Sequence, residues 1–272
     1  RIAVTLHPSG TLGYKSKDHF DAVADGAVPL ADTYTGVFSG MNPIFTLSNM
    51  PFLAPGFDAT WELVQVIKPR VSRVFEKEGQ VLLWTAPWTP TGLWSKKPIA
   101  NKAAIQNLKM RVYDPTGVTT FQGIGASPIQ LSWGDVIPQL TTGGISAVLT
   151  SAEGGSNAKF WEHLSHFNDL SFSLGMNMAH MNKGVYDSLP ADLQKAVHEA
   201  AGEAEKAAWD FARKRTLELN KVLADNGVTV VTPDKAFLQE LGKAAEPVLA
   251  TWKEKMGPDA DVILGELRAR LK

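Results

Sequence analysis

The feature that most constrains the fold is one long run of helix-forming residues at positions 191–224. Alanine, glutamate, lysine and leucine dominate this run, and Asn226-Gly227 follows it as a stop signal. We therefore expect one long helix in the last third of the chain, and any fold proposed for the sequence has to accommodate it.

Segments with strand-like and helix-like patterns alternate along most of the chain. Such an alternation predicts an α/β fold, for which we expect mostly parallel strand pairing. No internal repeat or low-complexity segment interrupts it. Three local predictions are a strand over residues 2–6, a helix over 160–166 and an extended segment over 170–182.

Composition excludes several classes of function. The sequence contains no cysteine, which removes disulfides, thiolate zinc sites and cysteine nucleophiles. Its formal net charge is -1 and its basic residues are scattered, so we expect no nucleic acid partner. The longest apolar stretches are too short to cross a bilayer, so we expect no direct membrane insertion.

Sequence motifs for catalysis and cofactor binding are missing as well. The chain has no Gly-x-Gly-x-x-Gly fingerprint, phosphate-binding loop or Gly-x-Ser-x-Gly elbow. His163 and His166 lie three apart beside Glu162, but the spacing is not that of His-Glu-x-x-His, so we interpret them as surface residues. We expect no catalytic residue, no metal site and no cofactor.

Arg111 is the residue whose position is hardest to explain by folding alone. It lies in the apolar strand pattern of residues 109–113, where a charge is costly unless it is paired. It is either an edge-strand arginine in solvent, a partner in a structural ion pair, or a binding group for an anion. A guanidinium meets a carboxylate with two parallel hydrogen bonds, which suits the third interpretation.

The eight tryptophans favour a binding protein. Trp88 directly follows a predicted strand and Trp133 begins a predicted helix, which is where open α/β sheets bind ligands. We expect these two to line a pocket. We expect Trp61, Trp84 and Trp252 to fill core volume instead.

Five segments, in order and with similar spacings, resemble the solute receptors of TRAP transporters of the dicarboxylate-transporter P-subunit (DctP) type. Residues 108–112 (Leu-Lys-Met-Arg-Val) are similar to the Leu-Lys-Gly-x-Lys-x-Arg-Val region of that family. The other similar segments are residues 7–13, 49–53, 125–128 together with 133–136, and 189–194. The family normally has one more strand and helix before the segment that opens this sequence.

The resemblance implies a two-lobed, periplasmic-binding-protein-like fold crossed by a long helix, with the ligand cleft between the lobes. Lobe I is expected to contain residues 1–88 and 176–217, and lobe II residues 89–175 and 218–272. The resemblance also implies a periplasmic location and delivery of the ligand to TRAP membrane permease subunits. A monomer is expected.

The family's binding roles fall on particular residues of this sequence. The resemblance implies that Arg111 forms the salt bridge to the ligand carboxylate, Trp133 is the pocket aromatic, and Thr150 takes a position that is often asparagine. Polar contacts fall on Tyr34 and Thr91. Some members that bind acidic sugars carry a second arginine at the position of Thr91, so its absence argues against a doubly anionic or sialic-acid-like ligand. The remaining candidate ligand-binding residues are Trp88, Phe172 and Asn177.

The sequence therefore predicts an extracytoplasmic receptor for a small organic acid, more specifically a monocarboxylate with an aromatic or apolar body. One alternative is an enzyme, a hydrolase or isomerase, with Arg111 as a substrate clamp and Asp32 or Asp135 as the base. Another alternative is a sensing domain that binds the same class of ligand without a transporter.

Overall fold

The computed structural model describes residues 2–272, in which strands and helices alternate as predicted, so the α/β class is confirmed. Within that range the α-helices are α1 His19–Ala24, α2 Gly56–Lys77, α3 Lys102–Ile105, α4 Pro115–Gly123, α5 Val136–Thr142, α6 Ala152–Asn157, α7 Lys183–Asp187, α8 Ala191–Asp225, α9 Lys235–Met256 and α10 Asp259–Arg270. The strands are β1 Leu30–Tyr34, β2 Gln80–Pro87, β3 Thr91–Ser95, β4 Lys109–Val112, β5 Ser127–Gln130, β6 Ala147–Ser151, β7 His166–Asn168, β8 Met176–Asn182 and β9 Thr229–Val231.

Lobe I is built on a three-stranded sheet with the order β1-β8-β2. Helix α2 packs on this sheet because its apolar residues recur every three or four positions and so share one face, as Leu63, Ile67, Val71 and Phe75 do. These side chains are buried together with three further phenylalanine rings, Phe20, Phe38 and Phe45, which contact one another and Phe75. The sheet and this core form a rigid wall for one side of a cleft.

Lobe II is built on a six-stranded sheet with the order β5-β4-β6-β3-β7-β9. Every residue of β3 is buried, and the side chain of Trp94 is fully enclosed against Phe160 and Phe167. The strand β4, which carries Arg111, lies between β5 and β6 and is therefore an interior strand.

The expectation of mostly parallel pairing is wrong. Among the described residues, four strand pairs are antiparallel and three are parallel. Strand β8 arrives from lobe II and runs between β1 and β2 in the opposite direction to both. Strand β3 likewise enters lobe II from lobe I and pairs antiparallel with β6 and β7. A pattern of alternating elements does not reveal such crossings between lobes.

Two neighbouring segments connect the lobes. One leads from β2 to β3 and the other leads into β8, and backbone hydrogen bonds join them side by side. The amide of Trp88 donates to the carbonyl of Gly175 at 2.8 Å, and that of Thr91 donates to the carbonyl of Ser173 at 2.9 Å. The ends of several strands from both sheets therefore meet at the boundary between the lobes.

The predicted long helix is confirmed as α8, and it spans both lobes. Its residues Ala201 and Trp209 pack on lobe I, whereas Leu219 and Leu223 lie in a core of lobe II. The helix is thus a third connection, and its length is explained by the distance between the two cores that it joins.

The C-terminal segment differs from the division expected from the sequence, which assigned residues 218–272 to lobe II. Phe237 and Leu241 of α9 do pack in lobe II. Val248 and Trp252, farther along the same helix, and α10 pack instead in the core of lobe I. A helix of 22 residues is long enough to cross the boundary, so one helix contributes to two cores.

Three local predictions are corrected. Residues 2–6 form no strand, and Val4 and Leu6 are largely exposed, because alternation alone does not supply a neighbouring strand to pair with. The predicted helix over 160–166 is only a 3-10 turn, Phe160–Glu162, before β7 begins. In the predicted extended segment, regular strand structure is limited to β8.

Candidate ligand-binding site

Arg111 is buried in lobe II, with only 5% of its surface exposed. It is the only buried lysine or arginine among residues 2–272. Because β4 has a neighbour on each side, an edge-strand arginine in solvent is ruled out. The remaining alternatives are a structural ion pair and a binding role.

The hydrogen bonds of Arg111 decide against a structural ion pair. Its Nε donates to the carbonyl of Leu131 and its Nη1 to the carbonyl of Leu149, both at 3.1 Å. Within the part of the chain that the structure describes, no carboxylate forms a salt bridge with it. Burial lowers the pKa of Arg111 to about 10, which leaves it protonated at neutral pH. Two backbone carbonyls thus orient a buried cation that no carboxylate of the described residues contacts directly; Asp114 acts on it only through its nearby charge.

Two aromatic rings lie beside this cation. The guanidinium carbon is 5.5 Å from the ring centroid of Trp133 and 5.7 Å from that of Tyr113. Trp133 is nearly half exposed, as expected for a pocket wall that a ligand covers. Such rings stabilise the cation through their faces and limit the access of water to it.

The lobe I side of the cleft is formed by Tyr34, Trp88 and Asn177. The ring of Tyr34 contacts that of Tyr113 across the lobe boundary, with centroids 5.6 Å apart in a T-shaped arrangement. Trp88 Nε1 donates to Asn177 Oδ1 at 2.8 Å, and Asn177 Nδ2 donates to Asp32 Oδ2 at 3.3 Å. A cavity of about 270 Å³ opens beside Trp88 and Asn177 and extends to Glu153 of α6.

The hydroxyl of Tyr34 is a further polar group without a protein partner. It is buried and makes no hydrogen bond of good geometry to another described residue, although the side chain of Tyr113 lies close enough to interact with it. Burial raises the pKa of Tyr34 well above its usual value, so the hydroxyl stays protonated and can donate.

The structure brings most of the predicted site residues to this boundary. The hydroxyl of Thr150 lies near the ring of Trp133. Both are close to Gly154, where a β-carbon would lie 2.9 Å from Thr150 Oγ1 and 3.7 Å from Trp133 Cη2. Thr91 is buried beside the connecting segments, with its amide bonded to Ser173. Asp32 touches Asn177, and Asp135 belongs to an exposed turn, so neither is hydrogen-bonded to Arg111.

Phe172 does not lie at the cleft surface. Its side chain is fully buried in a core of lobe II, stacked on Phe121 and in edge contact with Phe52. An aromatic residue next to a segment that connects the lobes can belong either to the hydrophobic core or to the pocket. Phe172 belongs to the core. We therefore leave Phe172 out of the site proposed below.

Two residues at the boundary were not predicted as site residues. Tyr113 directly follows β4 and covers Arg111. Asn49 closes the 3-10 turn Pro43–Asn49 and lies against Tyr34. Asn49 is the one amide side chain within the mostly apolar loop of residues 43–53, but this pattern alone does not mark it as a site residue.

Asp114 is the buried carboxylate nearest in sequence to Arg111, and it is engaged in folding. Its Oδ1 accepts hydrogen bonds from the Gly117 amide at 3.1 Å and the Thr116 hydroxyl at 2.6 Å, so it caps α4. Burial nevertheless raises the pKa of Asp114 from 3.8 to about 6.

This shift predicts how stability depends on pH. Between about pH 4 and 6 the folded protein keeps the Asp114 proton that the unfolded chain has lost, so this contribution to stability falls as pH rises. One pKa unit is worth about 1.4 kcal/mol, so the loss amounts to about 3 kcal/mol by pH 7. Asp114→Asn should therefore gain about that much relative to the wild type between pH 4 and 7 in urea unfolding.

The control is Asn220→Leu at an exposed, uncharged residue, which removes no titratable group and should leave the difference from wild type constant across pH. A constant difference for Asp114→Asn as well would contradict the shifted titration of Asp114.

Comparison with known proteins identifies the family. Residues 1–255 match the model of the bacterial extracellular solute-binding protein family 7, DctP. The chain belongs to this family. It is 25% identical to the ectoine/5-hydroxyectoine-binding periplasmic protein of Ruegeria pomeroyi, over 98% of this chain and 81% of the relative.

Two solved structures show the same fold. One is a Bordetella pertussis extracytoplasmic solute receptor binding pyroglutamic acid, with a TM-score of 0.93, 26% identity and coverage of 97% of this chain and 88% of the other. The other is a marine metagenome TRAP solute-binding protein specific for pyroglutamate, with a TM-score of 0.91, 29% identity and coverage of 97% and 87%.

The predicted DctP-type TRAP solute receptor with a two-lobed fold is therefore confirmed. Its place is extracytoplasmic, consistent with a periplasmic location, and the family consists of binding proteins, which decides against the enzyme alternative. Among residues 2–272, no helix combines the length and apolarity needed to span a membrane. The same residues contain no cluster of three potential metal ligands.

Proposed function

We propose that this receptor binds a small monocarboxylate by closing its lobes on it, with the carboxylate held by Arg111. The observation that carries the proposal is a buried, protonated arginine that two backbone carbonyls orient and that forms no salt bridge with any carboxylate of the described residues. The single buried cation matches one carboxylate, because a second anionic group would enter the cleft without a counter-charge.

The aromatic lining defines the rest of the ligand. Trp133 and Tyr113 lie beside the guanidinium, and Tyr34 of lobe I packs edge-on against Tyr113, which favours a compact body with an apolar or flat face. Pyroglutamate, which the two solved relatives bind, is a monocarboxylate with a small ring and fits this description. We assign ligand contacts to Arg111, Trp133, Thr150, Tyr34, Trp88, Thr91 and Asn177.

Lobe closure is the output of binding. A ligand held between Arg111 of lobe II and Tyr34 and Asn177 of lobe I contacts both walls only in the closed state, so it shifts the population towards closure. The side-by-side connecting segments at Trp88–Gly175 and Thr91–Ser173 are placed to act as the hinge. The closed receptor then delivers the ligand to the TRAP permease, and a single chain supplies both walls, so we expect a monomer.

A thermal-shift screen tests the ligand class. Monocarboxylates with a five- or six-membered ring should raise the melting temperature by roughly 5–10 °C at a thousandfold excess over Kd, since binding then stabilises the fold by about 4 kcal/mol. Dicarboxylates of similar size should give much smaller shifts. A screen in which only dicarboxylates stabilise the protein would overturn the proposal.

A further inference from the structure

The side-chain amide of Asn49 is buried without any hydrogen-bond partner. Its residue has no exposed surface, and neither Oδ1 nor Nδ2 bonds to another atom within residues 2–272. Exchanging the two atoms does not help, since both positions are unpartnered. Most buried side-chain amides are satisfied, so an amide that lacks both partners requires an explanation.

Asn49 packs beside two side chains that form the lobe I wall of the cleft. A β-carbon at Gly36 would lie 2.8 Å from Asn49 Nδ2 and 2.5 Å from Tyr34 Cε1. A β-carbon at Gly175 would lie 3.7 Å from Asn49 Oδ1, 3.0 Å from Tyr34 Cε2 and 3.6 Å from Trp88 Cδ1. The amide is therefore packed between two glycines that leave room for it, beside the two aromatic residues that line the cleft.

A purely structural role does not account for this arrangement. An unpaired buried donor and an unpaired buried acceptor each cost free energy that an apolar residue of the same shape would avoid. The fold therefore carries an amide that destabilises the ligand-free protein. A ligand that pairs with both atoms would recover this cost on binding.

The chemistry of the amide defines the complementary group. A carboxamide presents an acceptor and a donor side by side on one edge, so its partner must present a donor beside an acceptor. A cis amide, as in a lactam or cyclic imide, has this edge, whereas a trans amide directs its N–H and C=O in opposite directions. The unpartnered hydroxyl of Tyr34 adds a further donor next to it.

We propose that Asn49 is a specificity-determining residue that pairs with a ring-amide edge of the ligand. This inference rests on the proposed function, because the ligand's carboxylate is held by Arg111 at the other end. The ligand is then a lactam or imide carboxylate, and Asn49 distinguishes it from a carbocyclic acid of the same size.

The test compares two probes by isothermal titration calorimetry after removal of any co-purified ligand. Pyroglutamate carries a lactam, and cyclopentanecarboxylate has the same ring size without an amide. Because each neutral hydrogen bond is worth up to about tenfold in affinity, the wild type should prefer pyroglutamate by roughly 10- to 100-fold. Asn49→Leu, which keeps the shape and removes both polar atoms, should reduce this preference to within about threefold.

Two further measurements make the result decisive. Asn49→Leu should melt at the same temperature as the wild type or higher, whereas a structural amide would cost stability when removed. Asn220→Leu, at an exposed asparagine on α8, is the matched control and should keep the preference. Asn49→Ala serves the same comparison of probes if the leucine variant does not fold.

The outcomes separate this inference from the proposed function. Equal binding of both probes by the wild type, or a preference that survives in Asn49→Leu, overturns the role of Asn49 while leaving the carboxylate clamp intact. If Arg111→Met leaves the affinity for both probes unchanged, the carboxylate clamp is wrong, whereas the ratio between the probes still reports on Asn49.

Discussion

Replacing Arg111 by methionine should weaken carboxylate binding by roughly 100- to 10,000-fold while the protein still folds. Hydrogen bonds to a charged group are worth about 1.5–3 kcal/mol each, and a carboxylate accepts two from a guanidinium. Methionine keeps much of the length of the side chain between Trp133 and Tyr113, so the loss reports the charge more than the packing. Titration calorimetry with a monocarboxylate from the thermal-shift screen measures it.

The same substitution should stabilise the ligand-free protein. The cation of Arg111 is buried, and burial disfavours the charged form, so its pKa is lowered to about 10. Removing the charge should raise the free energy of unfolding by about 1–2 kcal/mol. Part of this gain is offset because the carbonyls of Leu131 and Leu149 lose the hydrogen bonds that Arg111 donates to them. A substitution that stabilises the ligand-free protein but weakens binding indicates that the residue serves ligand binding and not folding.

Two controls limit the interpretation. Arg111→Lys keeps the charge but loses the planar fork, so affinity should fall by an intermediate factor of roughly 10- to 100-fold. Arg70→Met removes an arginine that pairs with Glu266 on the surface of lobe I, and it should leave ligand affinity unchanged. Carboxylate affinity that survives in Arg111→Met would contradict the clamp.

Arg111 also shows what the sequence alone can predict about the site. A charge within an apolar strand pattern is visible without a structure, and so are Trp88 after a strand and Trp133 before a helix. These features depend on local pattern, and the structure places all three at the lobe boundary. The long helix and the alternation of strands and helices also depend on residue patterns within short stretches of sequence, and both predictions are confirmed.

The features that sequence analysis missed depend on contacts between distant segments. The antiparallel pairing of β8 follows from a crossing between lobes, and the position of Trp252 in lobe I follows from the length of α9. Phe172 is buried because Phe52 and Phe121, far away in the sequence, close over it. Asn49 becomes noticeable only when the absence of a partner can be checked against every neighbour.

Gly92→Ala should destabilise lobe II by about 3 kcal/mol and lower the melting temperature by roughly 6–10 °C. Gly92 lies in the central strand β3, where a β-carbon would come within 2.4 Å of Phe167 Cζ and 2.6 Å of the carbonyl oxygen of Asn168. The ring can rotate only within a filled core, and the carbonyl belongs to the neighbouring strand β7. Relief therefore requires a shift of one strand relative to another.

The effect should reach the binding site, because β3 begins at Thr91 and pairs with β6, which carries Thr150. We expect a weaker affinity for the carboxylate as well as a lower melting temperature. An alanine tolerated at position 92 without loss of stability would contradict the close approach of β7 to Gly92.

The control for Gly92 is another glycine whose surroundings are opposite in kind. Gly202 is exposed within α8, and nothing lies within 4 Å of a β-carbon there. Gly202→Ala removes conformational freedom from the unfolded chain and should stabilise the protein by about 0.5–1 kcal/mol. The same glycine-to-alanine substitution should thus lower the free energy of unfolding at position 92 and raise it at position 202, which calorimetric unfolding of both variants can establish. The signs differ because β3 and β7 can pair closely next to the hinge only if residue 92 has no side chain. The exposed face of α8 at Gly202 has room for a methyl group.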